Sequence, residues 1–180
     1  MKTKPVMPIK NIITERLLLR PLELRDSTPI QYLAGDQRIS VWTSSFTTPF
    51  SHQQSVRWVN NAIKAMNSGQ SINFSIILRK TGSFIGVVSL RFFENRVPQL
   101  GYWLGAEYQG RGYCTEAVSA LIQYGLSQLE LPEIMARCAR NNTASKNVMV
   151  RCGMQEVTGE SSSEIIKGKR VPLAVYSKKR

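Results

Sequence analysis

Three extended segments in series, followed by a glycine-flanked turn and a long amphipathic helix, constrain the fold of this chain most strongly. The segments span residues 71–80, 83–93 and 96–106, and the Thr-Gly pair at 81–82 predicts a hairpin between the first two. Residues 111–131 carry two adjoining apolar rows at helical spacing, which is typical of a helix lying on a sheet. This order predicts a mixed sheet with an antiparallel front and one strand-helix-strand crossover near residue 110.

The flanking segments extend the same pattern on both sides. In chain order they predict a strand at 12–22, a short helix at 24–35, a loop or loose helical turns at 36–51, a helix at 52–69, a strand at 132–140, a helix at 142–153 and one or two final strands. The fold class is therefore α/β (α+β), with a mostly antiparallel sheet of about six or seven strands flanked by about four helices. We expect residues 1–10 to form a flexible N-terminus and residues 11–178 to form a single domain.

The surface charge and the absence of long apolar runs limit the classes of protein. The formal net charge of +12 attracts anions, such as nucleic acid or a small polyanionic ligand, without deciding between them. No apolar run reaches the roughly 18 residues that a membrane span needs. The first ten residues lack the apolar segment of a signal peptide, so we expect a cytoplasmic protein with no membrane partner.

The cysteines and the sole histidine exclude several kinds of catalytic site. Cys114, Cys138 and Cys152 form no CxxC pair, so neither a disulfide framework nor a zinc site is expected. His52 is the only histidine. A two-histidine metal site is therefore excluded, and a catalytic triad or a Cys-His pair would need His52 to supply its imidazole. His52 follows a loop-like stretch, where we expect it to be solvated near a helix start. Cys114 follows the glycine turn at a helix start. A thiol pKa tends to fall at such a position, but we expect Cys114 to be only a small residue in a tight place.

The stretch QGRGYC at 109–114 has the composition of an anion site. Glycines at 110 and 112 let a phosphate approach the main chain, and the first amides of the following helix have no internal partners. The stretch matches neither the GxxxxGK[ST] nor the GxGxxG fingerprint. A turn with only a structural role is therefore the alternative.

A second polar helix start lies about 30 residues further on. The predicted strand at 132–140 leads directly into Asn142, Thr143 and Ser145. Alone, this pattern indicates an N-cap.

Together these features resemble the GNAT superfamily of N-acetyltransferases, in the branch of the RimJ/RimL ribosomal-protein N-terminal acetyltransferases. The resemblance covers about residues 11–178 and makes that range a single GNAT domain. Its motifs are a T-x-R-L-x-L-R opening strand, a Q/R-x-x-G-x-G/A phosphate motif and an N-x-x-S motif followed by glycine and an aromatic residue. The matching residues are Thr14, Arg16, Leu17, Leu19, Arg20, Gln109, Gly112, Cys114 in place of the last glycine or alanine, Asn142, Ser145, Gly153, and Met154 in place of the aromatic residue.

The resemblance implies acetyl-CoA as co-substrate and no metal. The cofactor-binding residues it implies are the loop residues Gln109, Gly110, Arg111, Gly112, Tyr113 and Cys114 around the pyrophosphate, the main chain of Trp103 and Leu104 in an opened strand, and Asn142 with Ser145. The implied reaction is direct attack of a neutral amine on the thioester in a ternary complex.

The resemblance says less about the catalytic groups than about the co-substrate. Many family members carry a tyrosine seven residues after the motif asparagine, but this position is Met149, which cannot donate a proton. Ser145 is the remaining candidate acid, and a capping role for it is the alternative. Glu94, which follows the strand at 83–93, is our candidate general base, and Glu107 is a second carboxylate to consider. For both residues, a solvated carboxylate without a catalytic role is the alternative.

The acceptor is an amine whose identity the branch leaves open, either a protein N-terminus or a small molecule. The charge disfavours polyamines and favours neutral or acidic acceptors, or a basic protein held on RNA. Proteins of this kind often pair as homodimers. Two other functions are a CoA-binding regulator without catalysis and a nucleic-acid-binding module on the same fold; the phosphate motif speaks against the latter.

Overall fold

The computed structural model describes residues 9–159 and 162–180, so most of the expected flexible segment, residues 1–8, lies outside the described residues. The strands are β1 (Ile12–Ile13), β2 (Leu17–Pro21), β3 (Ser71–Leu78), β4 (Phe84–Arg91), β5 (Gln99–Leu104), β6 (Glu133–Ala139), β7 (Gln155–Glu156), β8 (Ser162–Ile166) and β9 (Lys169–Lys179). The helices are α1 (Ser27–Ala34), α2 (Gln37–Ser40), α3 (His52–Asn67), α4 (Tyr113–Gln123) and α5 (Thr143–Arg151).

All described strands join one sheet in the order β1-β2-β3-β4-β5-β6-β9-β7, with β8 paired to β9. Every pairing is antiparallel except that of β5 with β6, which α4 connects. The predicted fold class and crossover are confirmed. The strand count exceeds the expected six or seven because the opening segment splits into β1 and β2, and because β7, β8 and β9 all form after α5.

The helices cover the sheet on both faces. On one face, α4 and α5 pack over a large core that includes Leu90, Leu100 and Leu121; we call it the α4 face. On the other face, α1 and α3 pack over a second core that includes Ile30 and Val59; we call it the α3 face. The site described below lies between these two layers.

The predicted helix over 111–131 is regular only as far as Gln123. From Tyr124 to Gln128 it widens into a π-helix. A Cβ at Gly125 would lie 2.7 Å from Ile134 Cδ1, so this turn packs directly on β6 only because it has glycine there. The widened turn is followed by a short connection that returns the chain to β6 for its parallel pairing.

Candidate active site

The sheet opens between β5 and β6. These strands pair only at Gln99 with Met135 and at Leu100 with Ala136, whereas β5 stays paired with β4 as far as Leu104. The unpaired half of β5 therefore borders a gap in the middle of the sheet. Parallel strands that separate in this way leave main-chain donors and acceptors without strand partners.

The strand register decides which main-chain groups face this gap. The N–H of Gly105 donates to the carbonyl of Ile85 at 2.8 Å, so Gly105 and, two residues earlier, Trp103 direct their main chain toward β4. The main chain of Tyr102 and Leu104 faces the gap. Of the two residues expected to offer main-chain contacts, the structure thus brings Leu104 to the gap and turns the main chain of Trp103 away from it.

The indole of Trp103 lies on the α3 face among aromatic side chains. Its ring centroid is 5.4 Å from that of Phe46 and 6.1 Å from that of Phe84. Among the described residues, no group accepts a hydrogen bond from its buried Nε1. The side chain therefore belongs to the packing beneath the loop that connects α2 with α3.

The glycine turn joins the end of β5 to the start of α4. Gly110 and Gly112 have φ angles of +75° and +79°, which other residues adopt only with strain. Gly112 is the N-cap of α4 and has no side chain to accept from the first amides of the helix. The side chain of Gln109 donates to the carbonyl of Leu104 at 3.1 Å and holds the turn against β5.

The opening-strand motif fastens the same turn from the other end of the chain. Glu116, in the first turn of α4, accepts from the Thr14 hydroxyl at 2.6 Å, from the Arg16 main chain at 2.8 Å and from Arg16 Nε at 2.7 Å. Arg16 also donates to the carbonyl of Arg111 at 2.9 Å and lies over the ring of Tyr113. The motif residues Thr14 and Arg16 thus position the loop, a role that the sequence alone did not reveal.

These contacts also set the charge at the start of α4. Burial by itself would raise the pKa of Glu116, but the hydrogen bonds from Thr14 and Arg16 outweigh it and lower the pKa. An ionised carboxylate at this position would repel an anion, and Arg16 neutralises it. The helix start keeps its attraction for anions.

The N-x-x-S motif contributes one hydroxyl of a hydrogen-bonded pair on the α4 face. Asn142 is the N-cap of α5, and its side chain accepts from the N–H of Ser145 at 3.1 Å. The hydroxyl of Ser145 lies 2.8 Å from that of Tyr102, which also donates to the Ser145 carbonyl at 2.9 Å. Burial raises the pKa of Tyr102, although the hydrogen bond with Ser145 opposes this, so the phenol stays protonated at neutral pH.

Other expected residues have structural or peripheral positions. Met149 is 1% exposed and belongs to the α4-face core, which explains its lack of a polar group. Burial raises the pKa of the Cys114 thiol to about 12, because burial outweighs the helix dipole. His52 is exposed at the start of α3, as predicted.

The structure does not bring Glu94 to the gap. Glu94 lies in the exposed turn between β4 and β5, next to the end of β5 that starts at Gln99. The gap begins beyond Leu100 and the glycine turn follows Leu104, at the opposite end of the strand. Glu107 is exposed in the 3-10 turn Ala106–Tyr108 beside the glycine turn.

A family model described as acetyltransferase (GNAT) domain matches residues 16–155, which is most of the chain. The chain belongs to the GNAT acetyltransferase family. It is 30% identical to the N-acetyltransferase p20 of Bacillus licheniformis over 172 residues, covering 94% of this chain and 96% of the relative. It is 27% identical to the ribosomal-protein-serine acetyltransferase of Escherichia coli strain K12 over 114 residues, covering 56% and 64% of the two chains.

The fold of this GNAT chain also matches a solved RimL ribosomal L7/L12 α-N-protein acetyltransferase in complex with coenzyme A. The TM-score is 0.82 at 19% identity, covering 94% of this chain and 98% of the other. This match shows that the chain has the fold of that acetyltransferase.

In residues 9–159 and 162–180, no group of three or more histidine, cysteine, aspartate or glutamate side chains is arranged to hold a metal ion. Nor is any helix in that part of the chain both long and apolar enough to cross a membrane.

Proposed function

We propose that this GNAT enzyme transfers the acetyl group of acetyl-CoA to a primary amine, by direct attack in a ternary complex formed at the gap between β5 and β6. The observation that carries the proposal is the pair of left-handed glycines, Gly110 and Gly112, at the uncapped start of α4 beside this gap. The RimL structure in complex with coenzyme A has the same fold and supports the choice of co-substrate. We further propose that the domain spans residues 11–178, beyond the matched 16–155.

The residues on the α4 face fit a diphosphate ester. A Cβ at Gly110 would have no neighbour within 4 Å, so the space above this residue is open to a ligand. The amides of residues 110–114, at the start of α4, would hold the pyrophosphate, while the N–H of Gln109 donates to the carbonyl of Ala106. Bound acetyl-CoA supplies an acetyl group already activated as a thioester.

The gap supplies a hydrogen-bond donor for the transfer. The main-chain N–H of Leu104 faces the gap. The carbonyl of Leu104 already accepts a hydrogen bond from the side chain of Gln109. We assign this N–H to the carbonyl oxygen of the acetyl group, where it stabilises developing negative charge. Asn142 holds Ser145 by capping α5.

Ser145 and Tyr102 form the proton donor in this proposal. Each hydroxyl carries one hydrogen. While Tyr102 donates to the Ser145 carbonyl, the serine can donate to the phenol oxygen; when the phenol turns its hydrogen to the serine hydroxyl, Ser145 can direct its own hydrogen toward the gap. The raised pKa of Tyr102 keeps the pair protonated, so that it can donate to a leaving thiolate. We do not place Glu94 in the reaction, and the amine loses its proton to solvent before it attacks.

The deciding experiment measures CoA thiol release from acetyl-CoA with a panel of peptides, amino acids, aminoglycosides and polyamines. A thermal shift with acetyl-CoA accompanies it, for which about 2.7 kcal/mol of stabilisation is expected at a hundredfold excess over Kd. Release with at least one amine supports the transferase. Stabilisation without release from any amine would favour a CoA-binding regulator, and the absence of stabilisation would overturn the assignment of the glycine turn.

A further inference from the structure

Two arginines stand on the α3 face of the sheet, beside the gap. Arg91 is the last residue of β4, and Arg137 lies within β6. Their strand neighbours Leu90, Ala136 and Cys138 all belong to the core on the α4 face. Because strand side chains alternate, both guanidinium groups project from the opposite face.

Gly101 leaves room for both side chains between the two strands. Arg91 pairs with Gln99 on β5, and its Nη2 lies 3.9 Å from the position that a Cβ of Gly101 would occupy. Arg137 donates from Nη2 to Gln99 Oε1 at 3.0 Å. Because Gly101 has no side chain, a shallow depression remains between the two guanidinium groups. We call this depression at Gly101 the floor.

The positive charge of this pair is only partly compensated. Within residues 9–159 and 162–180, neither Arg91 nor Arg137 forms an ion pair with a carboxylate. Arg91 is exposed as a whole, yet its guanidinium is crowded by the sheet surface; this burial and the charge of Arg137 lower the pKa of Arg91, and Glu164 opposes them. Glu164 accepts a hydrogen bond from Ser44 at 3.2 Å. One carboxylate faces two guanidinium groups that stay charged at neutral pH.

The position of the pair relates it to the transfer site. Gly101 immediately precedes Tyr102, whose main chain faces the gap, and it lies three residues before Leu104. At about 3.3 Å per residue, the floor lies roughly 7–10 Å from the N–H of Leu104. The glycine turn and Ser145 belong to the α4 face, so a second substrate reaches the gap from the α3 face. A group bound by both arginines would then sit a few bonds from the attacking nitrogen.

We propose that the acceptor is a primary amine carrying a carboxylate or a phosphate a few bonds from its nitrogen, and that Arg91 and Arg137 bind this anion. The inference rests on the proposed transferase function and names the substrate class of that same site. Two guanidinium groups suit the planar carboxylate and the phosphate because each can donate two parallel hydrogen bonds.

The test compares acceptors that differ only in the anion. A peptide beginning Ser-Asp is compared with one beginning Ser-Asn, glycine with glycinamide, and aminoethyl phosphate with ethanolamine. We expect kcat/KM for CoA release to favour the anionic member of at least one pair by about 10-fold to 100-fold, as one or two charged hydrogen bonds provide. The pair that shows the preference tells whether the anion belongs to a peptide or to a small amine. A ratio near one in all pairs would overturn the inference and leave the transferase standing.

Variants connect this preference to the two arginines. Arg91→Gln and Arg137→Gln should each lower the anionic-to-neutral ratio by about tenfold, and Glu164→Gln should raise it. Arg57→Gln, which removes a charge from the exposed surface of α3, is the matched control and should keep the ratio. An unchanged ratio in both arginine variants contradicts the assignment, and thermal unfolding midpoints establish that each variant is folded.

Calorimetry separates failure of the inference from failure of the function. The acetylated Ser-Asp peptide cannot react, so its binding in the presence of CoA reports the anion site alone. We expect it to bind more tightly than the acetylated Ser-Asn peptide, and to lose this difference in Arg91→Gln. If no amine releases CoA, the proposed function fails, and this binding difference alone upholds or overturns the anion site.

Discussion

The hydroxyls of Tyr102 and Ser145 lie 2.8 Å apart, although the residues are separated by 43 positions in the chain. One belongs to β5 at the gap and the other to the first turn of α5, so the pair joins the two sides of the opening. Because the phenol also donates to the Ser145 carbonyl, the position of the serine hydroxyl depends on the tyrosine. This relationship leads to the first prediction.

Tyr102→Phe and Ser145→Ala should each reduce kcat by about tenfold, a part of what acid–base catalysis usually provides. The double variant should lose little more than either single variant, since the two hydroxyls act as one unit. The affinity for acetyl-CoA should stay close to that of the wild type, as measured by calorimetry. Tyr124→Phe, which changes another partly buried tyrosine of the α4-face core, is the control. Additive losses would show that the hydroxyls act independently.

Gly110→Ala and Gly82→Ala form a matched pair for the glycine turn. Both positions have φ near +70° (+75° and +71°), and neither Cβ would meet an atom within 4 Å. We therefore expect similar losses of unfolding free energy, about 1–2 kcal/mol for the left-handed conformation. Only Gly110→Ala should weaken acetyl-CoA binding, by about tenfold or more, because its methyl group occupies the space assigned to the ligand. Equal affinities in the two variants would refute that assignment.

Asp26 should make stability depend on pH at the acid end. Burial alone would raise its pKa, but hydrogen bonds from Arg20, Ser75 and the Glu23 main chain lower it below its value in the unfolded chain. Its contribution is therefore complete above the unfolded pKa of about 4, and is lost as the pH falls through the folded pKa. Asp26→Asn should lose about 3–5 kcal/mol at pH 7, and less at pH 3, in urea denaturation. Asp36→Asn, in an exposed pair with Arg38, should differ little from the wild type at either pH.

The pH dependence of turnover should follow the acceptor and not the enzyme. Since Glu94 is remote from the gap, the amine must reach it as the neutral form, and kcat/KM should rise about tenfold per pH unit below the pKa of the amine. For a peptide N-terminus the plateau should begin near pH 8. The raised pKa of Tyr102 keeps the donor protonated, so we expect no decline up to pH 10. A rising limb that stays fixed when the amine pKa is changed would reveal a base in the protein.

Local patterns were sufficient to predict most of the fold. The hairpin at Thr81 and Gly82 and the crossover through α4 follow from residues close in sequence. The end of regular helix at Gln123 did not, because it depends on the approach of Gly125 to Ile134 across the core. Short strands such as β1 and β7 were likewise not predictable, because they form by pairing with longer neighbouring strands.

The site was predictable where it is made of main chain in one segment, as at Gly110 and Gly112. It was not predictable where remote residues meet. Nothing in the sequence connects Tyr102 with Ser145, or Thr14 with Glu116. Glu94 was chosen because it follows β4, but sequence order does not tell which end of β5 opens. The main-chain direction of Trp103 depends on register with β4, which likewise appears only in the folded chain.

The short pairing of β5 with β6 gives the sheet a mechanical property. Strands β1 to β5 form one half of the sheet and β6 to β9 the other. Among the described residues, only the ladder around Gln99 and Leu100 joins the two halves within the sheet. We expect the sheet to bend most readily at the closed end of the gap. A substrate bound at the open end of the gap would contact both halves of the sheet. We expect it to reduce their relative motion, and therefore to slow amide hydrogen exchange along β6 and β9.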